Sequence, residues 1–184
     1  MPRVRGRSLG SVTGVPVDLR PYAPSDAEAL TDLLHRSYAG LADRGLNFTA
    51  ATQDVELTRR RAAAGPTWVL ADGGRPVATL TLSLPPAAFL QGLTAEAAAP
   101  GRAWLNQMAV DPDHRRRGHA RRLRDAALAH AAAHGVTAVG VDTAEPAADL
   151  LALYRRWGFA DRDLIRWPGK TDDSVVLVRE LAAS

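Results

Sequence analysis

Apolar positions along this chain recur at two different spacings, and the switches between them mark the elements. Val15 to Arg20 alternate and predict a first strand. Pro24-Ser25-Asp26 then offers an N-cap, and Ala27, Leu30, Leu33, Leu34 and Tyr38 recur at the interval of a helix with one buried face. Residues 40–52 carry no period and read as a linker. A second helix is expected over about 53–64, ended by Gly65-Pro66. Trp68 to Ala71 and Val77 to Leu84 flank Asp72-Gly73-Gly74, a hairpin signal, because a tight turn between twisted strands needs residues at ease with positive φ.

Residues 85–101 are rich in proline and alanine and predict a long loop, with a helical turn at 94–98. A strand at 102–110 follows and is stopped by Asp111-Pro112. A helix to about His134 is closed by Gly135, and Val136 to Val141 form a short continuous apolar run of the buried, parallel kind. Thr143-Ala144-Glu145-Pro146 reads as the opening of another helix, through Trp157 to Gly158. Two last strands, 159–166 and 174–181, are joined around Pro168-Gly169. The order is β-α-α-β-β-β-α-β-α-β-β, with antiparallel strands first and βαβ crossovers after them.

Composition narrows this little. The 184 residues suit one domain, expected over 15–184, preceded by a flexible basic tail at 1–14. Net charge is only +3, and arginine dominates the cations, Lys170 being the sole lysine. The positive charge is local, at 1–7 and 114–124, which suits an anion site better than a nucleic-acid surface. With no cysteine there is no disulfide, no thiolate nucleophile and no cysteine-type metal site. No apolar run approaches a membrane span, so no membrane association and a cytoplasmic location are expected.

The chemistry concentrates at Asp111-Pro112-Asp113-His114-Arg115-Arg116-Arg117-Gly118-His119-Ala120. Strand, glycine-containing loop and helix aim unpaired backbone N–H groups and a helix dipole at one point, where a phosphate gains most. Gly118 lets an anion approach the backbone, and the arginines add forked donors. The loop lacks the Gly-Lys-Ser/Thr ending of a nucleotide-hydrolysing loop and the spaced glycines of a dinucleotide fold, so a diphosphate held by backbone fits better.

With that loop in its middle, the order of elements resembles the GNAT superfamily of N-acetyltransferases. Arg115-Arg116-Arg117-Gly118-His119-Ala120 matches the family's Arg/Gln-x-x-Gly-x-Gly/Ala loop, preceded by Val110-Asp111-Pro112. Leu153-Tyr154 followed by Gly158-Phe159 matches a second signature, and Leu19-Arg20-Pro21 with Ser25-Asp26-Ala27 matches the family's opening turn. The resemblance covers about 15–181. It implies an α/β fold of mixed α+β type: a central, mostly antiparallel sheet of six or seven strands with a splayed parallel pair, flanked by about four helices. It also implies acetyl-CoA as co-substrate, no metal, and transfer to an amine by direct attack in a ternary complex.

By the same resemblance, Arg115, Arg116, Arg117, Gly118, His119, Ala120 and Arg121 would bind the pyrophosphate. Met108, Ala109, Val110 and Thr143 would meet the pantetheine arm. Tyr154 would protonate the leaving thiolate, and the backbone at Met108 would hold the oxyanion. Two departures stand out: Trp104 occupies the approximate place of a glutamate that serves some members as base, and Ala147 stands where an asparagine often contacts the cofactor arm. The base is therefore open among Glu145, Asp142, His114 and water, with Glu145 carried forward; Asp142 and Glu145 equally suit a helix N-terminus, and His114 a loop surface. Asn47, Phe48 and Thr49, the loop at 85–101 and the turn near Trp167-Pro168-Gly169 would wall the acceptor side. With no dense acidic patch there, a small-molecule or amino-acid-like primary amine is expected. Two other functions fit parts of the pattern: a non-catalytic acyl-CoA-binding module, and a nucleic-acid-binding protein using Arg115–Arg124, which lacks interleaved aromatics for stacking. The C-terminal strands allow a homodimer without requiring it.

Overall fold

The computed structural model describes residues 17–182. The basic tail at 1–14 and the start of the first predicted strand lie outside them. Seven strands form one sheet in the order β1-β2-β3-β4-β5-β7-β6, with β1 at Asp18–Pro21, β2 at Thr67–Asp72, β3 at Arg75–Ser83, β4 at Arg102–Val110, β5 at Ala138–Ala144, β6 at Ala160–Ile165 and β7 at Ser174–Glu180. Every neighbouring pair is antiparallel except β4 and β5. The expected mixed sheet with one parallel pair is thus present.

Side-chain alternation sorts the helices onto two faces. Leu80, Leu82, Leu105, Val139, Val141 and Leu177 point to one face, where α5 (His119–Ala133) and α6 (Ala148–Arg156) cover them with Leu123, Ala127, Ala131 and Leu151. On the other face α1 (Ala27–Ala42) packs Leu30, Leu33 and Leu34 with Ala62 of α2 (Val55–Ala62) against Val69 and Ala109. Further along the same face, Leu90 of α3 (Ala88–Gln91) and Ala97 of α4 (Ala95–Ala98) join Trp104, Ile165, Val176 and Val178. The predicted loop at 85–101 therefore holds two helical turns rather than one.

Several local signals are realised directly. Gly73 and Gly74, both with positive φ (56° and 85°), form the turn between β2 and β3, as Asp72 opposite Arg75 requires. Asp54 caps α2 by accepting the Leu57 N–H at 2.7 Å. Asp26 is recruited otherwise: it accepts from the Ala23 N–H at 2.8 Å and takes both arms of the Arg20 guanidinium at 2.7 Å. One prediction is overturned. Thr143-Ala144 continue β5, which pairs with β7 from Ala138 through Ala144. That ladder outweighs the local capping signal, so α6 starts only at Ala148.

The parallel pair is brief. Only Arg102–Trp104 face Ala138–Gly140, although β4 runs on to Val110 and β5 to Ala144. Two features part the strands. Trp104, fully buried, lies over Gly140, where an added Cβ would come within 2.0 Å of the indole. Beyond it Gln107 takes a left-handed φ of 51° at a bulge where Thr81 faces Asn106 but Thr79 faces Ala109. β4 bends away, leaving a cleft between the C-terminal ends of the two strands.

Candidate active site

The cleft opens on both faces of the molecule. One opening is a groove of about 790 Å³ along Met108–Val110 and the arginine loop. The other is a cavity of about 440 Å³ walled by Asn106, Asp142, Phe48, Arg61, Trp167 and Lys170, among others. Tyr38, Met108, Leu150 and Tyr154 line both, so the two spaces meet at these residues.

The groove is built from the end of β4 onward. Asp111 accepts from Arg36 of α1 at 2.9 and 3.2 Å and from its own turn's Asp113 N–H at 3.0 Å. Burial works against its ionised form, but these hydrogen bonds, Arg36 first, prevail and hold its pKa below the ordinary value. The chain then turns through left-handed conformations at Arg116 (φ 62°) and Gly118 (φ 79°) into α5. The first helical bond runs from the Arg122 N–H to the Gly118 carbonyl at 3.0 Å. The N–H groups of His119, Ala120 and Arg121 precede it and are left facing the groove's end. Two of the motif's arginines brace the loop: Arg115 donates to the Ser37 carbonyl at 2.9 Å and Arg117 to the Asp113 carbonyl at 3.0 Å. Arg115, Arg116, Gly118, His119, Ala120 and Arg121 line the groove; Arg117 does not. Burial, then the neighbouring His114 and arginines, lower the His119 pKa and favour its neutral ring.

The cavity carries charge on opposed walls. Asp142 of β5 accepts from the Trp104 indole at 2.9 Å through one oxygen and from the Trp167 indole at 2.7 Å through the other. Burial raises its pKa against these hydrogen bonds and the charge of Arg61. Arg61 of α2 is set by a buried polar chain: it donates to the Gln53 side chain at 2.6 Å, and Gln53 donates to Thr58 at 2.7 Å and to Gln107, on the bulge, at 2.9 Å. The loops at the mouth clasp each other. Asn47 donates to the Gly169 carbonyl at 2.9 Å, while Lys170 donates to the Asn47 carbonyl and to the Thr49 hydroxyl.

At the junction, Tyr38 donates to the Met108 carbonyl at 2.9 Å. The Tyr154 ring packs edge-on against Trp157 and Phe159, and burial drives its pKa well above the ordinary tyrosine value. Burial thus favours the neutral phenol.

The structure brings together most residues singled out from sequence, and relocates a few. Met108, Ala109 and Val110 line the groove with the arginine loop, and Asn47, Phe48 and Thr49 line the cavity. Thr143 lies on the cavity wall, where the longer β5 carries it, rather than along the groove. Glu145 is exposed in the turn after β5 and lines neither space, so it is no base for a reaction at the junction. His114 sits in the groove beside Asp111 and Asp72. Ala147 is fully buried. Arg61, the last of three consecutive arginines, is the residue that sequence reasoning missed. The available signal was the polar set of Thr58 and Arg61 in α2 with Gln53 just before it.

Comparison with known proteins agrees with this architecture. A model of the GNAT acetyltransferase family matches residues 27–159. The S-(2-succino)cysteine N-acetyltransferase of Bacillus subtilis (strain 168) is 35% identical over 60 residues, an alignment covering 33% of this chain and 36% of that protein. Among solved structures, the ribosomal-protein-S18-alanine N-acetyltransferase of Escherichia coli superposes with a TM-score of 0.68 at 16% identity, covering 91% of this chain and 95% of that one. The PaiA N-acetyltransferase of Thermoplasma acidophilum, solved in complex with coenzyme A, gives 0.67 at 11% identity, covering 91% of this chain and all (100%) of that one. With the family model spanning well over half of its length, from the first helix to Gly158-Phe159, the chain belongs to the GNAT family of acetyltransferases.

Proposed function

We propose that this enzyme transfers the acetyl group of acetyl-CoA to the primary amine of a small molecule, by direct attack while both are bound. One observation carries the reading: a groove ending at the start of α5 and a cavity bearing charged side chains meet at Tyr154 and Met108. The groove suits an extended arm ending in a diphosphate, and the cavity a compact acceptor. Coenzyme A in the Thermoplasma neighbour and the amino-acid derivative in the Bacillus relative's name point the same way.

Within this reading Asp142 is the base. It alone among the sequence candidates lines the acceptor cavity, and its raised pKa brings it nearer to the operating pH, where a base works best. It takes one proton from the ammonium form of the acceptor and passes it to solvent. The freed amine attacks the thioester carbonyl; a carbon–nitrogen bond forms and the carbon–sulfur bond breaks. Tyr154 gives its proton to the leaving sulfur and regains one from the acetylated nitrogen. The sum is ammonium plus thioester to amide, thiol and one proton. The backbone at Met108, at the junction, is the nearest polar support for the developing oxyanion.

The test is thiol release from acetyl-CoA with a panel of primary amines, alongside thermal stabilisation by acetyl-CoA. At 100 times its dissociation constant the cofactor should add about 2.7 kcal/mol, a rise of roughly 5–11 °C for a chain of this size. Tyr154→Phe should keep that rise and lose about 100-fold in kcat. A stabilisation without turnover of any amine would favour an acyl-CoA-binding module instead.

A further inference from the structure

Resting on the acetyl transfer just proposed, we infer that the acceptor is a free α-amino acid, its ammonium held at Asp142 and its carboxylate at Arg61 and Lys170. The cavity contains two cations, Arg61 and Lys170, and two carboxylates, Asp142 and Asp172. None of the four is ion-paired among the described residues. Unpaired charges held in a partly dry cavity are costly unless a ligand completes them. A ligand with one charge of each sign does so without altering the balance.

The positions are built. Asp142 carries two neutral indole donors, one on each oxygen, which fix the carboxylate without neutralising it and leave a lone pair on each for an ammonium. It stands close enough to Tyr154 and Tyr38 for its charge to act on both phenols, so an ammonium there faces the junction where the thioester would end. Arg61 spends one N–H on Gln53 and has four others to offer. Lys170 donates to Asn47 and Thr49 and keeps a third proton. Burial, then the charge of Arg61, lower the Lys170 pKa, and both side chains line the one cavity. They form one site for one anion. On the Arg61 side, the Gln107 amide nitrogen, whose own oxygen accepts from Gln53, is buried without a partner and suits an α-carboxylate.

A free carboxylate separates this acceptor from a peptide N-terminus, where that group is an amide. It also separates it from simple amines.

Thiol release from acetyl-CoA is therefore to be measured with three sets: free L-amino acids, including S-carboxyalkyl cysteines; their carboxamides; and amines without a carboxylate. The expected result is an acid-over-amide preference in kcat/KM of about 100-fold or more, because the amide leaves the cations unanswered. Arg61→Met and Lys170→Met, each verified to melt cooperatively, should lower turnover of the acid about 10-fold more than that of its amide. Equal rates for acid and amide, faster turnover of peptides, or no turnover of any free amino acid would overturn the inference. The first two outcomes leave acetyl transfer intact; failure of acetyl-CoA both to stabilise the protein and to react with any amine would remove acetyl transfer itself.

Discussion

Replacing Gly140 by alanine probes how the cleft is made. An alanine Cβ would lie 2.0, 2.3 and 2.5 Å from three atoms of the Trp104 six-membered ring. Ordinary contact needs about 3.5 Å, so the indole must shift by more than 1 Å inside a fully buried site. Overpacking of this kind costs about 1–3 kcal/mol. A displaced indole also loses its hydrogen bond to the Asp142 carboxylate, worth about another 1.5–3 kcal/mol. The expected loss is about 2.5–6 kcal/mol, or a fall in Tm of roughly 5–24 °C. Differential scanning calorimetry measures it. Gly40→Ala is the opposing control: this glycine lies inside α1 with nothing near its would-be Cβ, so the change should stabilise by about 0.5–1 kcal/mol. In a Trp104→Leu background the clashing atoms are gone, and Gly140→Ala should cost less than about 1 kcal/mol. A Gly140→Ala protein melting within about 2 °C of the parent, or an equal cost in both backgrounds, would refute the account of how β4 and β5 part.

Three further outcomes follow from the same geometry. If Asp142 is the base, kcat/KM rises through an acid limb lying above 3.8, the ordinary aspartate value, since burial raises its pKa; Asp142→Asn should abolish the limb in a pH–rate profile and lower the plateau about 100-fold. Arg20 holds the folded-state pKa of Asp26 below 3.8, so the pair stabilises fully above that value and its contribution is lost as pH falls through the folded pKa. Arg20→Gln should accordingly cost about 1 kcal/mol in urea titrations at pH 7, a figure reduced by the partial exposure of the pair, and cost progressively less as pH falls below 3.8. Gly118→Val forces a β-branched residue into a φ of 79° at the start of α5, and should weaken acetyl-CoA binding at least 10-fold by calorimetric titration while the sheet stays folded.

The legible part of this protein was whatever local chemistry decides alone. Apolar spacing located α1, the stops at Gly65-Pro66 and Gly135 bounded α2 and α5, the glycine pair fixed the β2–β3 turn, and Asp111-Pro112 with Gly118 placed the arginine loop between β4 and α5. What failed depended on partners distant in sequence. Thr143 and Ala144 read as a helix start, but the β7 strand some thirty residues on holds them extended. Asp142 read as a helix cap for the same reason, though its function as a cavity carboxylate depends on Trp104 and Trp167 donating from two other segments. Arg61 reached the cavity only through a chain of contacts from α2 to the bulge at Gln107. Such chains leave no periodic trace. The motif arginines also have a structural part that the sequence does not show: Arg115 and Arg117 each give an N–H to a backbone carbonyl and brace the loop.

The paired indoles on Asp142 also give the site a built-in spectroscopic reporter. Of the chain's four tryptophans, Trp104 and Trp167 donate to this one carboxylate, while Trp68 and Trp157 pack with the core on the other face of the sheet. A carboxylate that gains a proton, or an ammonium beside it, changes the electric field across both rings at once. Half of the protein's tryptophans therefore respond to the charge of a single oxygen pair. Acceptor arrival becomes visible as a change in intrinsic fluorescence, with no dye, label or coupled enzyme.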